Sequence, residues 1–130
     1  MPHSREAVVA AIRASWSKET TASPDEWTED APALGQCVPS SLVAQELLGG
    51  ELERLATVRN GARETHYRNV LPNGEVLDIS GDQYPSDQQF EPAPVEGDVR
   101  EYVLGNENTR RRYLLLSARA ATLIALEHAD

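Results

Sequence analysis

The stretch THYRNVLPNGEVLDIS, residues 65–80, decides the fold because it fixes how two strands pair. A two-residue loop, Asn73-Gly74, would leave Pro72 in the closing pair, and proline has no N–H to donate. A three-residue loop, Pro72-Asn73-Gly74, suits all three residues. Proline presets φ at the first turn position, and glycine takes the left-handed third position. The sequence therefore predicts a hairpin with the three-residue loop.

This loop decides which side chains share a face of the sheet. Arg68 then pairs with Asp78, and His66 pairs with Ser80, so His66 and Asp78 are diagonal neighbours on one face. Diagonal neighbours lie about 7–8 Å apart, which these side chains can span. A shift of one residue would place them on opposite faces. The hairpin thus predicts an imidazole oriented by a carboxylate, as a general base requires.

Upstream, the stretch GQCVPSSLVAQELLGG, residues 35–50, predicts a helix over 38–48 that begins next to Cys37, the single cysteine of the chain. Pro39 suits a first helical turn, and Gly49-Gly50 suits a helix end. Leu42, Val43 and Leu47 form its predicted inward face. A helix N-terminus carries partial positive charge and free N–H groups, which favour a thiolate and can stabilise an oxyanion.

Cys37, His66 and Asp78 therefore form a candidate catalytic set of nucleophile, base and orienting carboxylate, and Gln36 is a candidate side-chain donor for the oxyanion. Each residue also has a structural interpretation. In that interpretation, Cys37 is an inert residue that fills buried space, and His66 is a histidine whose hydrogen bonds are satisfied within the fold. Asp78 then only solvates the end of a strand. The spacing does not resemble a zinc motif, so we expect no metal and no cofactor.

The remaining pattern predicts an α+β fold with N-terminal helices packed on a small antiparallel sheet and a long C-terminal helix. Val8, Ile12 and Trp16 recur on one face of a predicted helix over 4–17, with Ser4 as its N-cap. Trp27, in a polar loop, is predicted to anchor on the core. Strands are predicted at 51–60, 62–71 and 75–80, an irregular segment at 81–98, and a helix from about 106 to 127. The C-terminal helix carries Tyr113, Leu116, Ala120, Leu123 and Leu126.

Composition limits the classes of function. The 130 residues predict a single domain, 1–130, and the formal net charge of −9 argues against nucleic acid or an anionic membrane as a partner. The basic cluster Arg110-Arg111-Arg112 is interpreted as a solvated helix face. One cysteine and no signal-peptide pattern predict a cytoplasmic protein. The sequence predicts no oligomeric state.

The order of cysteine on a helix, then histidine and aspartate on successive strands, resembles the core of the papain-like and transglutaminase-like fold. Gly35-Gln36-Cys37 resembles the glycine-glutamine-cysteine at the transglutaminase nucleophile. The short intervals between the three candidate residues imply a minimal version of that fold.

The chain more closely resembles the small bacterial YunG-like family, from about residue 27 to 84. The matching motifs are Trp27-Thr28, Gly35-Gln36-Cys37, Gly49-Gly50, His66-Tyr67, Asn69, Leu71-Pro72, Gly74, Asp78 and Asp82-Gln83-Tyr84. Arg68 stands where such proteins tend to carry an aromatic residue. The resemblance implies that Arg68 changes one wall of the pocket and that Gln83 belongs to the pocket, beside Gln36.

Two functions follow. The first is a thiol enzyme, of the peptidase, amidase or transamidase kind, that acts on an amide-containing substrate through a thioester. The second is a non-catalytic module that binds a small molecule or a protein on the same scaffold.

Overall fold

The computed structural model describes residues 3–127 and has the predicted α+β architecture. The helices are α1 (Arg5–Ser15), α2 (Cys37–Leu48), α3 (Val99–Leu104) and α4 (Glu107–Glu127). The strands are β1 (Glu51–Arg59), β2 (Ala62–Val70), β3 (Val76–Leu77) and β4 (Glu91–Pro92). They form one antiparallel sheet in the order β3-β2-β1-β4.

Two tight turns set the register of the sheet. Asn60-Gly61 joins β1 to β2 with positive φ at both residues, 53° and 77°, as a type I′ turn requires. Between β2 and β3, the N–H of Leu71 donates to the carbonyl of Glu75 at 2.8 Å. Gly74 has φ 89°. The three-residue loop Pro72-Asn73-Gly74 is therefore confirmed.

Strand β3 is shorter than predicted because the chain leaves the sheet after Leu77. Ile79 is buried in the apolar core, and its carbonyl accepts a hydrogen bond from Nη2 of Arg13 on α1 at 3.0 Å. The predicted irregular segment 81–98 contains a 3₁₀ turn, Gly81–Gln83, and the short strand β4, which pairs with β1.

The main core lies between α1, α2 and α4, and its helix ends follow the predicted signals. Val8 and Ile12 are fully buried, and the Oγ of Ser4 accepts from the N–H of Ala7 at 3.1 Å, which confirms the N-cap. Helix α2 ends at Leu48, and Gly49 follows with φ 79°. Its predicted inward residues Leu42 and Val43 are fully buried, and Leu47 packs against the core.

Three features differ from the prediction. Helix α3 was not predicted, and the buried residues of α4 are Thr109, Arg112, Leu116, Ala120 and Ile124. Leu123 and Leu126 are exposed, since the buried stripe runs through Ile124 instead. Trp27 is half-buried and donates to the carbonyl of Pro32, so it closes its own loop rather than joining the core clusters.

Within residues 3–127, none of the helices has the length and apolar character needed to span a bilayer.

Candidate functional site

His66 and Asp78 meet as the register predicts. Nε2 of His66 lies 2.8 Å from Oδ1 and 2.9 Å from Oδ2 of Asp78. His66 is fully buried, whereas the side chain of Asp78 is 25% exposed. The carboxylate therefore fixes the imidazole orientation and keeps a route to solvent.

Two aromatic rings cover the imidazole. Tyr84 packs against it nearly edge-on, with ring centroids 5.0 Å apart, and Phe90 lies at 5.4 Å. The guanidinium of Arg59 lies 4.6 Å from the centre of the Tyr84 ring. Burial, with Glu64 nearby, raises the pKa of Tyr84 to about 12, so its phenol stays neutral. The segment that follows Asp78 thus forms a wall over His66.

Cys37 is the first residue of α2, one residue before the predicted start at 38, and is half-buried. The side chain of Gln36, the N-cap residue, makes no capping hydrogen bond. Pro39 has no N–H, and the N–H of Ser40 donates to the carbonyl of Gln36. By helix geometry, the amides of Cys37 and Val38 have no carbonyl partner within α2.

The surroundings of His66 favour its protonated form. Burial lowers the pKa of His66, but the hydrogen bond to Asp78 and the nearby Cys37 outweigh burial and raise the pKa to about 9. Among the described residues, the buried Nδ1 has no partner with complete hydrogen-bond geometry. Nδ1 is therefore the ring nitrogen that Asp78 leaves open, and Cys37 lies near enough to raise the pKa of His66.

A cleft of about 240 Å³ opens beside Cys37. Glu64, Thr65 and Tyr67 of β2 line it together with Cys37 and Tyr84. Since neighbouring residues of a strand point to opposite faces, a cleft lined by both Glu64 and Thr65 lies at the edge of β2. This part of the edge is open because β3 pairs only with the end of β2, at Asn69 and Val70.

The contacts of Gln36 count against its predicted role as an oxyanion donor. Its side chain is fully buried; Nε2 donates to the carbonyl of Ser17 at 3.1 Å, and Oε1 accepts from Thr20 at 2.8 Å. The sequence suggested a donor because Gln36 precedes Cys37, but the amide ties the start of α2 to the loop that follows α1. Gln36 therefore holds the start of α2 in place.

Arg68 and Gln83 have different surroundings. Nε of Arg68 donates to Oε1 of Glu53, its direct partner across the sheet, at 2.6 Å, and Arg68 does not line the cleft beside Cys37. The predicted pocket wall at Arg68 is therefore absent from this cleft. Gln83 does line it, and its Oε1 accepts from the N–H of Gly35 at 3.3 Å.

A larger depression elsewhere lacks the side chains that the candidate chemistry needs. It has a volume of about 510 Å³ and lies between α1 and α4, lined by Trp16 and Arg119 among others. It is larger than the cleft at Cys37 but holds neither a cysteine nor a histidine. Across residues 3–127, no three His, Cys, Asp or Glu side chains are grouped as a metal site would require.

Glu64, Phe90 and Arg112 are site neighbours that the sequence did not single out. Phe90, the single phenylalanine of the chain, was the available signal, since it interrupts a polar irregular segment. Arg112 belongs to a run of three arginines, and the charge of that run predicted a solvent-exposed helix face.

Comparison with known proteins places the chain in a family. The family model described as YunG protein matches residues 4–125. The uncharacterised protein YunG of Bacillus subtilis (strain 168) is 28% identical over 83 residues, which cover 64% of this chain and 65% of that protein. The match thus spans just under two thirds of the relative. No solved structure matches. The match over residues 4–125 shows that this chain belongs to the YunG protein family.

Proposed function

We propose that this chain is a thiol enzyme that hydrolyses an amide, or transfers its acyl group, through a thioester on Cys37. The observation that carries the proposal is the buried His66, whose Nε2 is bonded to Asp78 and whose pKa the nearby Cys37 raises. A nucleophile, a base and an orienting third group are the parts that such chemistry needs. We also propose that α2 and the strands form a minimal papain-like or transglutaminase-like core.

The first chemical step uses the thiolate and the imidazolium together. Sulfur of Cys37 attacks the carbonyl carbon of the amide, and the C–N bond breaks as His66 gives its proton to the leaving amine. A thioester and a neutral imidazole result. Asp78 keeps Nε2 occupied, so Nδ1 is the ring nitrogen left for this proton transfer. The amides of Cys37 and Val38 stabilise the oxyanion formed on the way.

The second step restores the site. Neutral His66 takes a proton from water, or from an acceptor amine, as that molecule attacks the thioester carbon. The C–S bond breaks, the acid or new amide leaves, and Cys37 is again a thiolate beside an imidazolium. Water gives hydrolysis and an amine gives acyl transfer, so the two reactions share the same residues.

The open edge of β2 supports an extended amide as the substrate. The N–H of Leu71 points toward β3, so alternate residues before it, including Thr65 and Tyr67, direct their backbone groups to the same edge. Both residues line the cleft with Cys37. Because the cleft holds only about 240 Å³, less than the roughly 300 Å³ of a small-molecule site, it suits a short segment of a longer chain.

The test is acylation by a simple activated ester, p-nitrophenyl acetate. We expect a burst of p-nitrophenol and an acetyl group mapped to Cys37 that neutral hydroxylamine removes. Cys37→Ser should abolish the adduct, and His66→Ala should slow its formation. If folded wild-type protein acylates no faster than the urea-unfolded chain, the enzyme proposal fails. The non-catalytic binding module then becomes the better account.

A further inference from the structure

Arg112 is the residue of α4 that departs most from expectation. The run Arg110-Arg111-Arg112 was predicted to face solvent, and Arg110 and Arg111 are exposed. Arg112 is only 6% exposed and belongs to the stripe that α4 buries, three residues after Thr109 and four before Leu116. An arginine therefore occupies a position where the helix period calls for a core side chain.

The buried guanidinium is poorly satisfied. Nη2 donates to Oγ1 of Thr109 at 3.2 Å, and among residues 3–127 neither Nε nor Nη1 has a hydrogen-bond partner. No carboxylate of the described chain forms an ion pair with it. Arginine stays charged in proteins, and an uncompensated buried charge is costly. A core cation of this kind needs an anion from elsewhere in the fold.

Arg112 lies close to the start of α2. Its neighbour Tyr113 packs against the same apolar cluster as Cys37 and Val38. Its hydrogen-bond partner Thr109 lines a depression together with Val38. Burial lowers the pKa of Arg112, and so does Arg111 on the same helix, whereas Cys37 raises it. Of these influences, Cys37 is the one that favours the charged form of Arg112.

We propose that Arg112 is a positioning residue whose buried positive charge holds Cys37 as a thiolate, in addition to the helix N-terminus and His66. The effect is reciprocal, because two groups that interact shift each other's protonation by the same free energy. It acts through space in a medium of low dielectric constant, where charge interactions are stronger than in water. This inference rests on the proposed function and extends its site to α4.

The test is the rate of iodoacetamide alkylation of Cys37 as a function of pH. In Arg112→Gln, we expect the rate profile to move to higher pH and the rate at neutral pH to fall about tenfold for each pH unit of displacement. Arg112→Lys, which keeps the charge, should restore most of the rate. Arg111→Gln, which removes an exposed charge one residue away, should leave the profile unchanged.

Thermal melts show which variants are folded. If Arg112→Gln does not fold, Arg112→Met removes the charge with an apolar side chain that the site accepts more readily. A folded neutral variant with the wild-type profile overturns the inference. The variant His66→Ala distinguishes a failure of the Arg112 inference from a failure of the proposed function. If His66→Ala shifts the profile and neutral Arg112 variants do not, only the role of Arg112 is wrong. If the wild type itself alkylates as an ordinary thiol, the proposed function fails and this inference with it.

Discussion

His66 combines full burial with a preference for positive charge. Burial alone disfavours an imidazolium, but a carboxylate bonded through both oxygens and a neighbouring thiol reverse that preference. The aromatic rings of Tyr84 and Phe90 exclude water from the ring. The charge of His66 therefore depends on very few partners, and removing one of them should be measurable.

Asp78→Asn tests this dependence directly. The amide keeps the shape of the side chain but carries no charge, so we expect the pKa of His66 to fall from about 9 by about 1–3 units. An NMR titration of the imidazole signals measures the shift. Asp82→Asn is the matched control, because Asp82 is exposed in the next turn and pairs loosely with Arg13 at 3.8 Å. Equal titration of wild type and Asp78→Asn would rule out Asp78 as the partner that sets the charge.

Sequence reasoning found the contact between His66 and Asp78 because Pro72 excludes the alternative register. It did not find the surroundings of Gln36, Arg68 and Arg112. The partners of Gln36 and Arg68 lie in another part of the chain or across the sheet, so the local sequence does not specify them. Arg112 bonds to Thr109 on its own helix, and its burial is what the run of three arginines did not indicate. The catalytic role of the candidate residues stays a prediction.

At the scale of elements, capping signals predicted α2 well and propensity predicted β3 poorly. Gly49-Gly50 ends α2 by adopting backbone conformations that other residues avoid. Val76, Leu77 and Ile79 led the sequence analysis to extend the strand to residue 80, yet Ile79 turns toward α1, where its carbonyl accepts a hydrogen bond from Arg13. A tertiary contact thus overrides local preference, which no pattern within 75–80 could indicate.

Gly50 controls how α2 meets the β1–β2 hairpin, and hence how Cys37 approaches β2. Gly50 and Gly61 have similar positive φ, 82° and 77°. A Cβ at Gly61 meets nothing within 4 Å, whereas one at Gly50 would clash with the carbonyl of Val70. We expect Gly61→Ala to cost about 1–2 kcal/mol from backbone strain, and Gly50→Ala clearly more. Urea unfolding measures both, and equal losses would contradict the tight approach of α2 to the hairpin.

At the scale of the whole molecule, the raised pKa of His66 links stability to pH. The folded state binds this proton more tightly than the unfolded chain, whose histidine titrates near pH 6.5. The stabilisation is complete below about pH 6.5 and is lost as pH rises through about 9. Its size is on the order of 3 kcal/mol.

Urea unfolding between about pH 6 and pH 10 measures this loss, because that range brackets the pKa of His66 in the unfolded chain, near 6.5, and in the folded protein, about 9. We expect the free energy of unfolding of the wild type to decline across the range, and that of His66→Gln to decline much less. The same slope in both proteins would show that other groups cause it.

The central claim is that His66 activates Cys37, and its most direct measurement is alkylation of Cys37 by iodoacetamide at neutral pH in wild type and His66→Ala. A folded His66→Ala protein, checked by its thermal melt, should label several-fold more slowly, because the thiolate loses its imidazolium partner. Equal labelling rates in the two folded proteins would contradict the account.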